Sequence, residues 1–340
     1  MTWLKQKWKW ILLGVLILIL ATASLYTWSL YRSLDGLNKP PDSSLLPRPT
    51  DPAEPVYSPP IWEGTERVNI LLLGADSRGA ETGEVPRSDT MLIASIDPIT
   101  KQGTLISLLR DMYIPIPGHG DNRANAALAL GGPELAMKAI GDYTGLHIQY
   151  YIYTDFQGFI SLIDELGGIE FNVEKDMKYR SRADGPEYDI NLKKGLQTLD
   201  GKSALQYVRF RNDAMSDFSR TQRQRDLMVA VATKMKSVWS IMKLPQVIES
   251  ISPYIDTNLE VSDMLKLGSL ALDTQVGATH QVPRQDMIYD RKIGSSSVID
   301  LRQGYDVPTY VKQILEGSAE SGSGAESNAE TSTETKPGSP

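Results

Sequence analysis

The run Trp10–Tyr31, centred on ILLGVLILIL, carries no charged residue for 22 positions. As a helix rising about 1.5 Å per residue it spans roughly 33 Å, enough to cross a hydrocarbon layer of about 30 Å. Lys5, Lys7 and Lys9 precede it. Trp8, Trp10, Tyr26, Trp28 and Tyr31 stand near its two ends, where amphipathic rings anchor at membrane surfaces. The lysine excess places the N-terminus in the cytoplasm and everything after Tyr31 outside, in a chain that passes the cell membrane once. A cleaved signal peptide, with Ala21, Thr22 and Ala23 as its small-residue site, is the competing reading. The apolar run continues past that site, which favours a retained anchor. Both readings export the rest of the chain.

No cysteine occurs, so an exported domain here is held by its core rather than by disulfides. The formal net charge is −7, and it becomes more negative without the three N-terminal lysines. Nucleic acid is not an expected partner, because binding it rests on neutralising phosphates.

The organisation along the chain is uneven. Residues 1–9 form the cytoplasmic end and 10–31 the transmembrane anchor. The segment 32–64 is a proline-rich linker, with eight of the 20 prolines falling between Gly36 and Gly64. Residues 65–316 are one folded domain, and 317–340 are a tail of disordered composition, rich in Gly, Ser, Glu and Thr. The domain reads as mixed α/β. Apolar, β-branched runs predict strands at 68–74, 90–97, 103–111, 148–156 and 169–173. Helical spacing appears at 132–145, at 155–168 and from Arg220 to Trp239. A final strand and helix are expected in VIDLRQGYDVPTYVKQIL.

Within an acidic chain, VRFRNDAMSDFSRTQRQRD gathers five arginines, at 209, 211, 220, 223 and 225. Leu227, Val231, Met235 and Val238 make the apolar stripe of the Arg220–Trp239 helix. Projected backward at about 100° per residue, the stripe passes through Gln224 and Arg220, with Arg223 at its border and Arg225 and Gln222 on the far side. Ser219 is the expected N-cap. Arg220 then points inward at a helix N-terminus, where the dipole opposes a cation and favours an anion. Either Asp213 and Asp217 supply the missing negative charge, or a ligand does.

A second cluster lies upstream, in LLLGADSRG and VPRSDTMLIA. If 90–97 and 103–110 form a hairpin, Asp89 and Arg110 share one sheet edge, and Asp76 joins them if 68–74 ends there too. Carboxylates interleaved with arginines suit Mg²⁺ shared with a phosphate. Turn aspartates with surface ion pairs are the plainer alternative. Other chemistries find no support: His119, His147 and His280 fit no zinc spacing, and there is no G-x-S-x-G elbow or P-loop.

The ordered series NILLLGADSR, RSDTMLIASIDP, ISLLRDMYIPIPG, NAALALGGPELAMKAI, YYIYTDFQGFISLIDELGGIEFNV, GLQTLDGKSALQYVRFRND and DFSRTQRQRD resembles the LytR-CpsA-Psr family of cell-wall glycopolymer transferases, over about residues 66–238. The resemblance implies a mixed β-sheet flanked by helices, with an apolar tunnel for a polyprenyl chain. It implies a phosphotransferase that moves a glycopolymer, such as a teichoic acid, from an undecaprenyl-pyrophosphate carrier to peptidoglycan. Carried over by motif, Asp76 and Asp89 hold magnesium. Arg78, Arg87, Arg110, Arg123, Arg209, Arg211, Arg220 and Gln224 line the pyrophosphate. Arg110, Arg209, Arg211 and Asp217 form the catalytic group, with Asp217 or Asp111 as the base. Leu109 stands where the family often has proline, which puts the loop carrying Arg110 in question. The linker is expected to let the domain reach both the lipid and the wall. A module that binds the lipid-linked glycan without turnover, and a polyprenyl-pyrophosphate hydrolase, are the rival functions.

Overall fold

The computed structural model describes residues 2–37, 45–46, 57–76, 86–180, 185, 189–211 and 216–317. α1 (Thr2–Asp35) carries the apolar run, and its residues 11–20 are all exposed to the surroundings. It is the one helix among the described residues long and apolar enough to cross a membrane.

β1 (Val68–Ala75), β2 (Ser88–Ile96) and β3 (Gln102–Leu108) form an antiparallel meander. Asp97 closes the turn between β2 and β3, its Oδ1 accepting from Ile99 N at 2.9 Å and Thr100 N at 3.1 Å. A hairpin of β4 (Tyr113–Ile116) and β5 (Gly120–Arg123) leads into α2 (Ala126–Thr144). This helix breaks at Gly131 and Gly132, so Pro133 opens its second segment, where a missing N–H costs nothing. β6 (Tyr150–Asp155) runs parallel to β1, and α3 (Phe156–Glu165) starts at once, capped by Asp155, which accepts from Gly158 N at 2.8 Å.

β7 (Ile169–Val173), β8 (Met177–Tyr179), β9 (Ile190–Leu192) and β10 (Gly195–Leu199) build two small ladders beside the main sheet. Then come α4 (Gly201–Arg209), α5 (Ser216–Met235) and α6 (Val238–Ile251). β11 (Ile255–Thr257), α7 (Val261–Asp273) and β12 (Gln275–Val282) follow. A hairpin of β13 (Ile288–Ile293) and β14 (Ser296–Leu301) precedes α8 (Val307–Leu315).

The main sheet has the order β11-β6-β1-β2-β3-β12. β6 and β12 are parallel to β1 and β3, whereas β2 runs the other way. Four strands therefore end, and β2 begins, along a single edge. On one sheet face Leu71, Leu73, Met91, Ile93, Ile106 and Tyr151 pack with Ala136 and Ile140 of α2 and with Val311 and Ile314 of α8. The other face meets Leu267 and Leu270 of α7, and α5 crosses it over β2, β3 and β12. A third cluster, with Ile163, Leu166, Tyr207, Leu227 and Val231, fills the space between α3, α4, α5 and β7. A sheet covered on both faces explains why its strands read as nearly continuous apolar runs.

Two expectations fail. The helix predicted from Arg220 to Trp239 begins at Ser216, so Ser219 lies in its first turn and is not the cap. It also stops at Met235, because Ser237 caps a new helix by accepting from Ser240 N. Leu227 and Val231 are buried as predicted, but Met235 is 37% and Val238 76% exposed. α1 packs against α6 and α7, Leu45 N donates to Asp256 at 2.7 Å, and Leu46 is buried in the core.

Gly201 shows how closely α4 sits on α3, since a Cβ there would lie 2.4 Å from the Ile160 carbonyl oxygen. Gly201→Ala is expected to cost about 1–3 kcal/mol, read as a lower Tm. Gly268→Ala in α7, where a Cβ meets nothing within 4 Å, should be neutral or stabilising by up to about 1 kcal/mol.

Candidate functional site

The converging strand ends bring the two arginine-bearing segments face to face. Arg110 leaves β3, and its Nη1 meets Asp89 Oδ1 at 2.5 Å, while its Nε lies 3.5 Å from Asp111 Oδ2. Leu109, where the family often has proline, is fully buried, so apolar packing holds this loop in place of a rigid ring. Arg123, the last residue of β5, reaches Asp111 Oδ1 at 3.4 Å. Across from them, the first turn of α5 presents Asp217 and Arg220, whose Oδ1 and Nη2 are 3.1 Å apart.

Arg220 is the outlier of the group. Its side chain is 2% exposed, and neither Nε nor Nη2 has a hydrogen-bond partner among the described residues. Burial pulls its guanidinium down to about 10, Arg211 and Arg110 push the same way, and Asp217 opposes them only in part. Arg211 keeps an exposed surface, yet the desolvation it suffers and its neighbour Arg110 hold it below its ordinary value. Burial also lowers Arg110, but Asp111 and Asp89 outweigh that and raise it. The site thus gathers Arg110, Arg123, Arg211 and Arg220 around Asp89, Asp111 and Asp217, with guanidinium nitrogens left over. Such a cluster at a helix N-terminus, with forked donors converging, is built for a multiply charged oxyanion.

The remaining predicted residues are placed as follows. Asp76 directly follows β1, and Arg87 stands exposed just before β2, both on the same edge. Arg209 ends α4 with its guanidinium 5.2 Å from the centre of the Phe156 ring, at the start of α3. Gln224 is buried one turn after Arg220. Arg78 and Asp213 lie outside the described residues. Asp217, one of the two acids expected to supply countercharge, pairs with Arg220.

Arg225 was expected on the far side of α5, but it is buried. Its Nη1 donates to Ser107 Oγ and, at 3.1 Å, to Gln281 Oε1, which also accepts from Thr221 Oγ1 at 2.6 Å. Arg223 is buried against the other core, where it donates to Glu174 at 2.7 Å and to the Phe210 carbonyl at 2.9 Å. That second bond pins the backbone next to Arg211. The projection failed because it assumed one buried face, whereas α5 is packed between the sheet on one side and α4, β7 and α6 on the other. The available signal was the arginines themselves, which are polar on every side of a helix with no clean apolar stripe at this end.

The model of the LytR_cpsA_psr family matches residues 47–303, most of the chain. The chain belongs to the LytR-CpsA-Psr family. Among relatives, the regulatory protein MsrR of Staphylococcus aureus (strain COL) is 38% identical over 204 residues, which is 59% of this chain and 59% of MsrR. The chain thus spans less than two thirds of the length of that relative. The polyisoprenyl-teichoic acid–peptidoglycan teichoic acid transferase TagU of Oceanobacillus iheyensis is 31% identical over 294 residues, 83% of this chain and 86% of TagU. Among solved structures, TagT with bound octaprenyl pyrophosphate lipid superposes with a TM-score of 0.56 at 25% identity, over 78% of this chain and 97% of that one.

For this LytR-CpsA-Psr protein, Arg220→Met should remove an under-compensated buried charge. The unliganded full chain is then expected to keep or raise its Tm, since Asp217 is part-exposed and can be hydrated, and to lose any rise in Tm caused by added inorganic pyrophosphate. A lower Tm without anion would mean that Asp217 already satisfies Arg220.

Proposed function

We propose that this protein is an extracytoplasmic, membrane-anchored phosphotransferase that attaches a glycopolymer, carried on a polyprenyl pyrophosphate, to peptidoglycan. The observation that carries this reading is Arg220, buried among further guanidiniums with Nε and Nη2 lacking a hydrogen bond among the described residues and Asp217 as its ion-pair partner. The similarity to TagU, a teichoic acid transferase, and to TagT, seen with a bound prenyl pyrophosphate, supports the same substrate class. So does the sheet face below the site. Leu72, Ala94 and Ile152, on strands in the interior of the sheet, stay only partly covered there, as an apolar bed for a lipid chain would.

In this reading Arg110, Arg211 and Arg220 hold the two phosphates, with Arg87, Arg123, Arg209, Gln224 and Arg78 completing the lining. The acceptor sugar hydroxyl attacks the phosphorus that bears the glycan. One P–O bond forms to the sugar, the bridging P–O bond breaks, and polyprenyl phosphate leaves with the electron pair. The hydroxyl proton passes to a carboxylate, for which Asp217 and Asp111 are the candidates within the arginine cluster. The guanidiniums act by positioning and by neutralising charge that builds on the bridging and leaving oxygens.

The donor set also fits a magnesium ion. Among the described residues no three carboxylate or histidine groups converge, but Mg²⁺ needs only one or two carboxylates when phosphate oxygens and waters complete its shell. Asp76 and Asp89, at the ends of paired strands on the same edge, would hold it, and when bound it would neutralise pyrophosphate charge.

The test uses the full chain in vesicles, with peptidoglycan, magnesium and a lipid-pyrophosphate glycan labelled in the sugar. Label should become covalent on the wall, and chelation or Asp76→Ala should abolish this. Arg211→Ala should lower kcat by about 10²–10³-fold, as for loss of one oxyanion donor. Label that stays on bound lipid would leave a binding module, and label released to water would leave a hydrolase.

A further inference from the structure

Outside the arginine site, the least expected feature is the start of α6. Val238, Trp239 and Met242 lie on one side of its first turns and are 76%, 63% and 64% exposed. These are three large apolar side chains on a helix that otherwise buries Val247 and Ile248.

The contacts with α1 fix where they stand along it. Tyr26 Oη donates to the Ile241 carbonyl at 2.5 Å, and Ser252 Oγ donates to the Gly36 carbonyl at 2.9 Å. Ten residues of α1 and eleven of α6 separate these two contacts, about 15 Å and about 16 Å of rise. The two helices therefore run side by side in the same direction. Tyr26 stands five residues, or about 7 Å, inside the outer end of the uncharged run, and Val238 is roughly 4–5 Å further along α6 toward the membrane. The first turn of α6 thus lies about 7–12 Å inside the level at which the apolar run ends. Interfacial helices bury their apolar faces to a similar depth of about 5–10 Å.

The local chemistry fits such a depth. The two serines of this turn make their hydrogen bonds internally, as suits a site near lipid. Ser237 N donates to the Lys234 carbonyl at 3.0 Å, Ser240 N to Ser237 Oγ at 3.2 Å, and Ser240 Oγ to the Lys234 carbonyl at 2.8 Å. Lys243 sits 5.2 Å from the Trp239 ring, where its long stem can follow apolar surface while its ammonium reaches headgroup phosphates.

We infer that the N-terminal turn of α6 is a second membrane contact, with Val238, Trp239 and Met242 seated at the acyl–headgroup boundary of the outer leaflet beside α1. This rests on the reading of α1 as a retained anchor. It gives the enzyme a foot as well as a tether. α5 rises from the foot to the arginine site, with 15 residues between Met235 and Arg220, so the phosphate site stands at most about 22 Å above the foot.

The chain has no cysteine, so single nitroxide labels can be placed without background. The full chain is labelled at Val238→Cys, Met242→Cys, Glu249→Cys or Leu16→Cys and reconstituted in vesicles of phosphatidylcholine and phosphatidylglycerol. Collision rates with oxygen and with a water-soluble nickel chelate are then compared. Oxygen should dominate at 16, 238 and 242, and the nickel chelate at 249. Nickel access at 238 and 242 equal to that at 249, with 16 still in lipid, overturns the foot and leaves the anchor. Nickel access at 16 takes down both. Protection from both reagents at 238 and 242 means that protein covers the turn, which also overturns the inference; spin–spin broadening that vanishes on dilution with unlabelled chain would identify that cover as a second copy.

Discussion

Arg220 is a full positive charge held almost out of water, and the edge of the sheet is arranged around it. Burying an ion without complete pairing costs several kcal/mol, and the depression of this guanidinium to about 10 reflects that cost. The site offers partial relief only. Asp217, one helical turn earlier, stands where the dipole welcomes an acid and reaches Arg220 at 3.1 Å. Asp89 and Asp111 are engaged by Arg110 and Arg123. In the proposed function, a bound oxyanion would complete the charge balance and turn this local instability into binding free energy. The parallel placement of β6 beside β1 and of β12 beside β3 makes this possible, because it brings the strand ends to the same edge that α5 approaches from the side.

α5 does more than carry arginines. It has core on two sides, and each side uses a different arginine. Arg225 is fixed to Ser107 and Gln281 of the main sheet, while Arg223 is fixed to Glu174 and to the carbonyl beside Arg211. A helix held in this way cannot rotate or slide without breaking buried charge-assisted bonds, which are stronger than neutral ones. The position of Arg220 is therefore set by the whole length of the helix. The same helix ends next to α6, so one rigid element links the arginine cluster to the packing against α1.

Much of this was readable in the residues. Strong apolar runs located the five predicted strands to within a few residues. The expected hairpin of 90–97 and 103–110 put Asp89 and Arg110 together, and the ion pair is there. The stripe through Leu227 and Val231 pointed Arg220 inward. What could not be read was anything that depended on how many neighbours an element has. Arg225 looked exposed because a single-faced helix was assumed. Met235 and Val238 looked buried because the helix break at Ser237 is set by a local capping bond that periodicity does not register. The place of α1 against α6 rests on side-chain-to-carbonyl contacts more than 200 residues apart in sequence, for which no spacing rule exists.

The openness of the edge bears on the proposed chemistry. Asp89, Asp111 and Asp217 keep between 24% and 31% of their side-chain surface exposed, and Arg211 is also open to solvent. A polymer acceptor needs such an entrance, but water uses it too, so preference for a sugar cannot come from sealing the site. It has to come from holding the acceptor hydroxyl in line with the phosphorus, where positioning alone is worth many orders of magnitude in rate. The base must then act only on a hydroxyl already held in place. Asp111 is shared between Arg110 and Arg123, which ties both of its oxygens. Asp217 meets Arg220 through one oxygen, on the first turn of α5. Of the two carboxylates, Asp217 has the freer geometry for taking a proton from the acceptor in the proposed reaction.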